Sequence, residues 1–321
     1  MAESLAGQLR ITIITPAPRG SQSGNRVTAL RWAGLLRQLG HRVRVANTWT
    51  KHTADVLVAV HAIKSAQAVL DADRDCPDLR IVTLLAGTDI YPTFAPSDVA
   101  LAALARADAL IALQPRALDL LPEELRKKTK TIVQSATAVT APRHDQFTAI
   151  VLAHLRPVKQ PLLAITAIDK VAADVPMKLL LAGEQLDDDY GEQVANAAAS
   201  SSRSHWIGPL SRKTSKQALA QSHVCLVPSS SEGGANVVSE AIAAGTPILC
   251  SAIPGNTGLV GDDWPGLFPP GDTDAFAQLL TRAATDKSFF DELCQRTAAL
   301  QPMVSPQSER LAWRDLLAHW R

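Results

Sequence analysis

Short β-branched runs alternate with Ala/Leu-rich runs of helical spacing along the whole chain, and this alternation restricts it to parallel sheets joined by crossover helices. "RITIITPAP" predicts a strand ending in a loop. "RVTALRWAGLLRQLG" predicts a helix stopped at Gly40. "HRVRVAN", "ADVLVAVHA", "RIVTLLAGTD" and "ADALIALQP" predict further strands, with a helix near "KSAQAVLDAD". Residues 137–148, "TAVTAPRHDQFT", break the rhythm with proline and polar residues and read as an interdomain linker. The alternation then restarts, with "AIVLAHL", "MKLLLAGE", "SHWIG" and "HVCLVPSS" as strands. A Pro-bearing break, "QPMVSPQ", leads to a final helix, "SERLAWRDLLAHWR". The expected fold class is α/β, with two doubly wound Rossmann-like domains facing across a cleft: 1–142 and 143–305. A chain of 321 residues, 46% of them hydrophobic, has material for two such cores.

The net charge of +1 gives no footing for nucleic acid. Cations outnumber acids in 1–142 and acids outnumber cations beyond it, which fits an anionic substrate, a membrane surface or chance. The four cysteines form no CxxC pair, and Cys225 and Cys250 lie in apolar strand-like runs. They read as reduced core thiols of a cytoplasmic protein. "MAESLAGQLRITIITPAP" lacks the pattern of a secretory leader. No run approaches the ~18–20 apolar residues of a membrane span, so membrane association is not expected.

Ligands of doubly wound sheets bind beyond the carboxyl ends of the strands. One loop there stands out: "SSSEGGANVVSEAIAAGTPIL", Ser229 to Leu249. Gly233 and Gly234 let the backbone approach a ligand, and the first N–H groups of the helix that follows point at it, a setting for phosphate. Glu232 and Glu240 are poor phosphate ligands but good acceptors for sugar hydroxyls. A phosphate bracketed by two sets of hydroxyls describes a sugar nucleotide. The plainer reading makes Glu232 a partner of the helix dipole and Glu240 a solvated face residue.

Other loop residues leave alternatives open. His61 ends a strand and either hydrogen-bonds the sugar or acceptor or is a satisfied structural histidine. Lys64 lies where a helix begins, as an anion ligand or a surface lysine. Asp89, after Thr88, contacts His61 or caps the next segment. Arg19 and Arg26 flank Gly24 and would meet an anionic acceptor, or are solvated. Asp187–Asp189 suggest either a metal or helix-capping acids. Asp262 and Asp263 read as turn residues.

"PSSSEGGANVVSEAIAAGTPIL" resembles the donor-binding signature of family 4 retaining glycosyltransferases of the two-Rossmann-domain (GT-B) type. The resemblance implies that Glu240 holds the ribose hydroxyls and Glu232 a hydroxyl of the transferred sugar. "HLRPVKQP" supplies Arg156 and Lys159 to neutralise the departing diphosphate. Gly24 with Asn25 matches the N-terminal glycine loop. The last helix, with Trp313 and Trp320, resembles one that crosses back to the N-terminal domain, so 306–321 joins 1–142. Trp206 and Ile207 fall where the nucleotide base is held, Trp206 being equally a core residue. The implied donor site further takes in Glu184, Leu210, Gly233, Gly234, Ala235, Asn236 and Val237. The implied acceptor site takes in Arg19, Asn25, Arg26, Lys64, Thr88 and Asp89. Glu232, Arg156, Lys159 and His61 are the expected catalytic residues. Gly234 and Ala235 depart from the aromatic-then-Gly pattern usual there.

A narrower likeness is carried by "EGGANVVSEAI", "SAIPGNTGLVGDDWPGLFP", "HLRPVKQP", "HAIKSA" and "LLAGTDIY". These are similar to the bacterial selenosugar synthases of selenoneine biosynthesis. That implies a UDP-sugar donor such as UDP-N-acetylglucosamine or UDP-glucose and selenophosphate as acceptor, with no cofactor and no essential metal. The rival expectations are three. One is transfer to an envelope lipid or oligosaccharide, with Arg31, Trp32 and Arg37 as a membrane-facing patch. The others are a non-catalytic nucleotide-sugar binding module and a UDP-sugar epimerase.

Overall fold

The computed structural model describes residues 7–21, 23–91 and 93–320. Residues 1–6, on which the expectation of no leader partly rests, lie outside the described residues. The chain divides into two compact units: residues up to Gln134 with the segment from Pro306, and Ser135–Ser305.

In the first unit six parallel strands run in the order β2-β1-β3-β4-β5-β6. They are β1 (Arg10–Ile14), β2 (Arg42–Ala46), β3 (Val56–Val60), β4 (Arg80–Leu85), β5 (Ala109–Ala112) and β6 (Thr129–Thr131). Central β3 is five consecutive buried apolar residues, as a strand covered on both faces demands. Edge strand β2 alternates Arg42 and Arg44, both exposed, with half-buried valines. One face buries Ile14, Leu57 and Leu85, the other Ile11, Val58 and Leu36. The final helix, Pro306–Leu317, belongs to this unit. Its Trp313 meets Trp32 of helix Gly24–Gln38 edge-on, with ring centroids 4.9 Å apart. Buried Glu309 accepts a hydrogen bond from Trp32 Nε1 at 2.7 Å and pairs with Arg31 at 3.1 Å. The membrane-facing patch expected from Arg31, Trp32 and Arg37 is therefore not formed. Trp32 is fully buried and Arg31 is spent on Glu309, so their contact surface faces protein.

In the second unit the order is β12-β11-β10-β7-β8-β9, again all parallel. The strands are β7 (Phe147–Leu152), β8 (Met177–Ala182), β9 (Ser204–Trp206), β10 (Val224–Val227), β11 (Ile248–Ser251) and β12 (Leu267–Phe268). This is the dinucleotide-fold strand order, with its switch point between β7 and β10. Cys225 and Cys250 are free and fully buried on neighbouring strands, and burial pushes both thiols up. The stretch read as a linker is built into this unit. Ala136 N–H donates to Val304 O at 3.0 Å, His144 N–H to Gln221 O at 2.9 Å, and Phe147 already opens β7. The units accordingly part between Gln134 and Ser135, earlier than the expected boundary at 142.

Candidate active site

Beyond the carboxyl ends of β7 and β10 two loops meet, as a switch point predicts. Ser230 N–H donates to Val158 O at 2.9 Å, which ties the loops together. The tie brings Lys159 and Glu232 side by side, with Lys159 Nζ 2.5 Å from Glu232 Oε1. Ser229 Oγ donates to the same oxygen at 2.7 Å. The Glu232 side chain is only 8% exposed, so the paired ammonium is what makes its charge tolerable there. Gln160, next to Lys159, adopts the left-handed conformation at φ 49° ahead of Pro161. Backbone strain of this kind at a non-glycine residue marks loops held for function.

Arg156 is exposed and forms no ion pair among the described residues. Helix Asn236–Ala244 opens with no acidic residue in its first turn and no side-chain cap on Ala235. The positive end of this helix dipole is thus set against no acidic side chain, a setting that favours a ligand anion. Gly234 holds φ 129°, which a Cβ would resist. Glu240 is half-buried on this helix, near enough to Cys225 for its charge to reinforce the rise of that thiol. Two cations, helix N–H groups and two carboxylates are thereby gathered in one unit. That set can hold a diphosphate and grip hydroxyls on either side of it.

The remaining donor-side residues of this unit border the same strand ends. Glu184 is exposed after β8, with its backbone N–H on His154 Nδ1 at 3.3 Å. Ile207 is exposed and Leu210 half-buried after β9, around Gly208. Trp206 ends β9 with its indole N–H on Gly183 O at 3.0 Å. Asp187 caps the helix Asp188–Ser200 by accepting from Tyr190 N–H at 2.9 Å, which is the capping reading of the acid run. Asp263 pairs with Arg296 at 2.5 Å.

Sequence reasoning missed four groups here. His154 lies close to Glu184, Arg156 and Lys159; burial holds its imidazole down, and the two cations add to that effect against the opposing glutamate. Ser229, Ser251 and Asn256 connect to Glu232 through hydrogen bonds. "SAIPGNTG" carried the signal for the last two, as polar residues on either side of an apolar Ala-Ile-Pro run.

The first unit holds the other expected residues. His61 follows β3 in the left-handed region at φ 74° and is buried. Its Nδ1 lies 2.7 Å from Asp89 Oδ1 and its Nε2 3.0 Å from Thr88 Oγ1. Asp89, itself 2% exposed, also accepts from the N–H groups of Ala62, Ile63 and Ala86 at 2.8, 3.0 and 2.7 Å. Asp89 therefore both contacts His61 and caps the segment. Its carboxylate is filled from within, which takes it out of direct contact with an acceptor. Thr88 and Lys64 are exposed. The helix after Lys64 begins at Ala66, and Ser65 Oγ donates to Val60 O at 2.7 Å. Gly24 and Asn25 open helix Gly24–Gln38. Arg19 is exposed, while Arg26 is half-buried with its Nε enclosed and unpartnered. Among the described residues no cluster of His, Cys, Asp and Glu forms a metal site, and no helix is long and apolar enough to cross a membrane.

The profile of the family described as "Glycosyl transferases group 1" matches residues 134–299. Among curated proteins compared by sequence, none matches. Solved structures match over nearly the whole chain. Sucrose-phosphate synthase (tll1590) from Thermosynechococcus elongatus superposes with a TM-score of 0.80 at 16% identity, covering 97% of this chain and 99% of that one. Anabaena Alr3699/HepE in complex with UDP gives 0.80 at 16% identity, covering 97% and 100%. A glycosyltransferase from Rickettsia africae gives 0.76 at 11% identity, covering 98% of each chain. At these identities the likeness shows the fold: two parallel-sheet α/β units of the GT-B kind.

Proposed function

This chain belongs to the glycosyl transferases group 1, and from that premise we propose that it moves a hexose or N-acetylhexosamine from a UDP-sugar to selenophosphate, giving a 1-selenosugar. The observation that carries the transferase chemistry is the pairing of Lys159 with Glu232 beside unpaired Arg156 at the switch point of the second unit. The UDP choice is supported by Anabaena HepE, a structure of this fold in complex with UDP.

In this reading the C1–O bond to the diphosphate breaks and its electron pair leaves with UDP. Arg156, Lys159 and the N–H groups at the start of helix Asn236–Ala244 meet the growing negative charge. Glu232 accepts from a sugar hydroxyl and Glu240 from the ribose. A lone pair on selenium forms the new bond to C1. The nucleophile is already anionic, so no base has to take its proton. Water then attacks phosphorus, the P–Se bond breaks, and phosphate leaves the selenosugar as its selenol. Arg19, Arg26 and Lys64 are the cations of the first unit that would meet the acceptor.

Trp32 is buried against Trp313, so it offers no contact to a membrane in the rival transfer to an envelope lipid. The test is a matrix of UDP-glucose and UDP-N-acetylglucosamine against selenophosphate, thiophosphate and no acceptor, read by mass spectrometry. A sugar–selenium product with UDP release is expected. Glycosylation of a lipid or sugar alcohol, with none from selenophosphate, would leave the glycosyltransferase and remove the selenosugar. Sugar scrambling without any acceptor would indicate an epimerase.

A further inference from the structure

The turn "SAIPGNTG" has no part in the chemistry above, yet it forms the rear wall of the Glu232 loop. Gly255 packs so closely that a Cβ there would collide with the Glu232 backbone carbonyl. Asn256 is fully buried, and its Nδ2 donates to Ser251 O at 3.0 Å and to Ser251 Oγ at 3.2 Å. Ser251 Oγ donates in turn to the backbone Ser229 O at 2.5 Å. Ser229 Oγ then donates to Glu232 Oε1 at 2.7 Å. All three polar side chains are at least nine-tenths buried, so water does not compete for these bonds.

The chain ends asymmetrically on the carboxylate. Oε1 takes both Ser229 Oγ and Lys159 Nζ, whereas no hydrogen bond reaches Oε2 from any described residue. Two donors converging on one oxygen fix the plane of a carboxylate and leave its second oxygen as the acceptor. From this geometry we infer that Ser229, Ser251 and Asn256 are positioning residues that aim Glu232 Oε2 at one hydroxyl of the donor sugar, and so set which sugar is accepted. Ser229 is the member that touches Glu232 through its side chain. Ser251 and Asn256 act behind it by fixing the Ser229 backbone. None of the three needs to touch the donor. Lys159 alone cannot replace them, because an ammonium on a flexible stem holds distance but not the rotation of the carboxylate.

The inference rests on the donor-site reading, and the test keeps the two apart. Calorimetry of the wild-type chain with UDP and with UDP-glucose examines the donor site itself; absence of binding to both would remove the donor reading. Ser229→Ala removes one oxygen and leaves the fold intact. A hydrogen bond to a charged group at this position predicts a fall in kcat of about tenfold or more with UDP affinity unchanged. The preference for UDP-glucose over UDP-galactose, which differ at one hydroxyl, narrows with it. Ser229→Thr retains the hydroxyl and restores both. A crystal structure of Ser229→Ala without ligand gives a readout that needs no substrate: the Glu232 carboxylate is expected to be rotated or to occupy more than one position. A Glu232 side chain unmoved in that crystal, or a Ser229→Ala enzyme with wild-type turnover and wild-type sugar preference, overturns the inference even if UDP-glucose binds.

Discussion

In the proposed reading Glu240 and Lys159 divide the donor between them, so their substitutions are expected to separate binding from chemistry. Glu240→Ala removes a charged acceptor from the ribose hydroxyls, a loss of about 1.5–3 kcal/mol. UDP affinity measured by calorimetry is expected to fall by roughly tenfold to a hundredfold; an unchanged Kd withdraws the ribose assignment. Lys159→Ala acts on charge that grows as the diphosphate departs, so kcat falls by about a hundredfold with a smaller change in KM. The same substitution leaves Glu232 with its Ser229 hydrogen bond and no cation. Rapid-quench turnover at saturating donor reads the effect, and a normal kcat would withdraw the role of Lys159 in the departure of the diphosphate. Glu232 and Glu240 stood out in the sequence as acids around a Gly-Gly turn and the helix after it, and Arg156 and Lys159 through the resemblance of "HLRPVKQP". Ser229, Ser251 and Asn256 did not, because their link to Glu232 forms only where the end of β11 and helix Pro254–Val260 pack behind the Glu232 loop.

At the scale of elements, Gly255 and Asp272 make a matched pair of tests. Helix Pro254–Val260 lies against the Glu232 loop with no room for a methyl group at Gly255. Gly255→Ala forces that helix or the loop to shift, an overpacking cost of about 1–3 kcal/mol. Asp272 caps helix Thr273–Thr285 by accepting from Ala275 N–H at 2.9 Å, far in sequence from the site. Asp272→Ala costs about 1 kcal/mol. Urea unfolding is expected to register both losses, whereas transferase activity falls for Gly255→Ala alone. Equal activity in the two variants would show that the rear wall does not reach the site. The short elements were the ones least readable from sequence. Strand β6 is the polar triplet Thr129–Thr131 and β12 only two residues, and each is a strand because a neighbour's edge offers it partners.

For the whole molecule, three histidines of the second unit set a pH dependence. Burial holds the imidazoles of His144, His154 and His223 below the ordinary 6.5. Lys178 adds to this at His144, the nearby cations at His154, and Arg143 at His223. His223 Nδ1 also accepts from Thr148 N–H at 3.1 Å, a bond its protonated form cannot keep. The unfolded chain thus takes up these protons first as pH falls through 6.5. Stability is full above that pH and declines on acidification. Asp55, Asp263 and Asp286 are held below the ordinary 3.8, chiefly by hydrogen bonds from Arg10, from Arg296 and from the Phe289 backbone N–H. Their contribution is lost only at lower pH. The urea midpoint is expected to drop between pH 7.5 and 5.0, and less steeply for His223→Gln. A midpoint that holds level or rises over that interval contradicts this account. Sequence alone determined that the fold is two doubly wound α/β units and that one glycine-flanked loop before a helix carries two acids. Those properties follow from the period of apolar residues and from glycines and acids close together in the chain. Tertiary structure alone decided that Trp32 faces Trp313 and not a membrane, that Asp89 is filled by three backbone N–H groups and His61, and that Glu232 is held by one oxygen. Each of those outcomes needs at least one partner distant in sequence, and burial removes the water that would otherwise have satisfied the same groups.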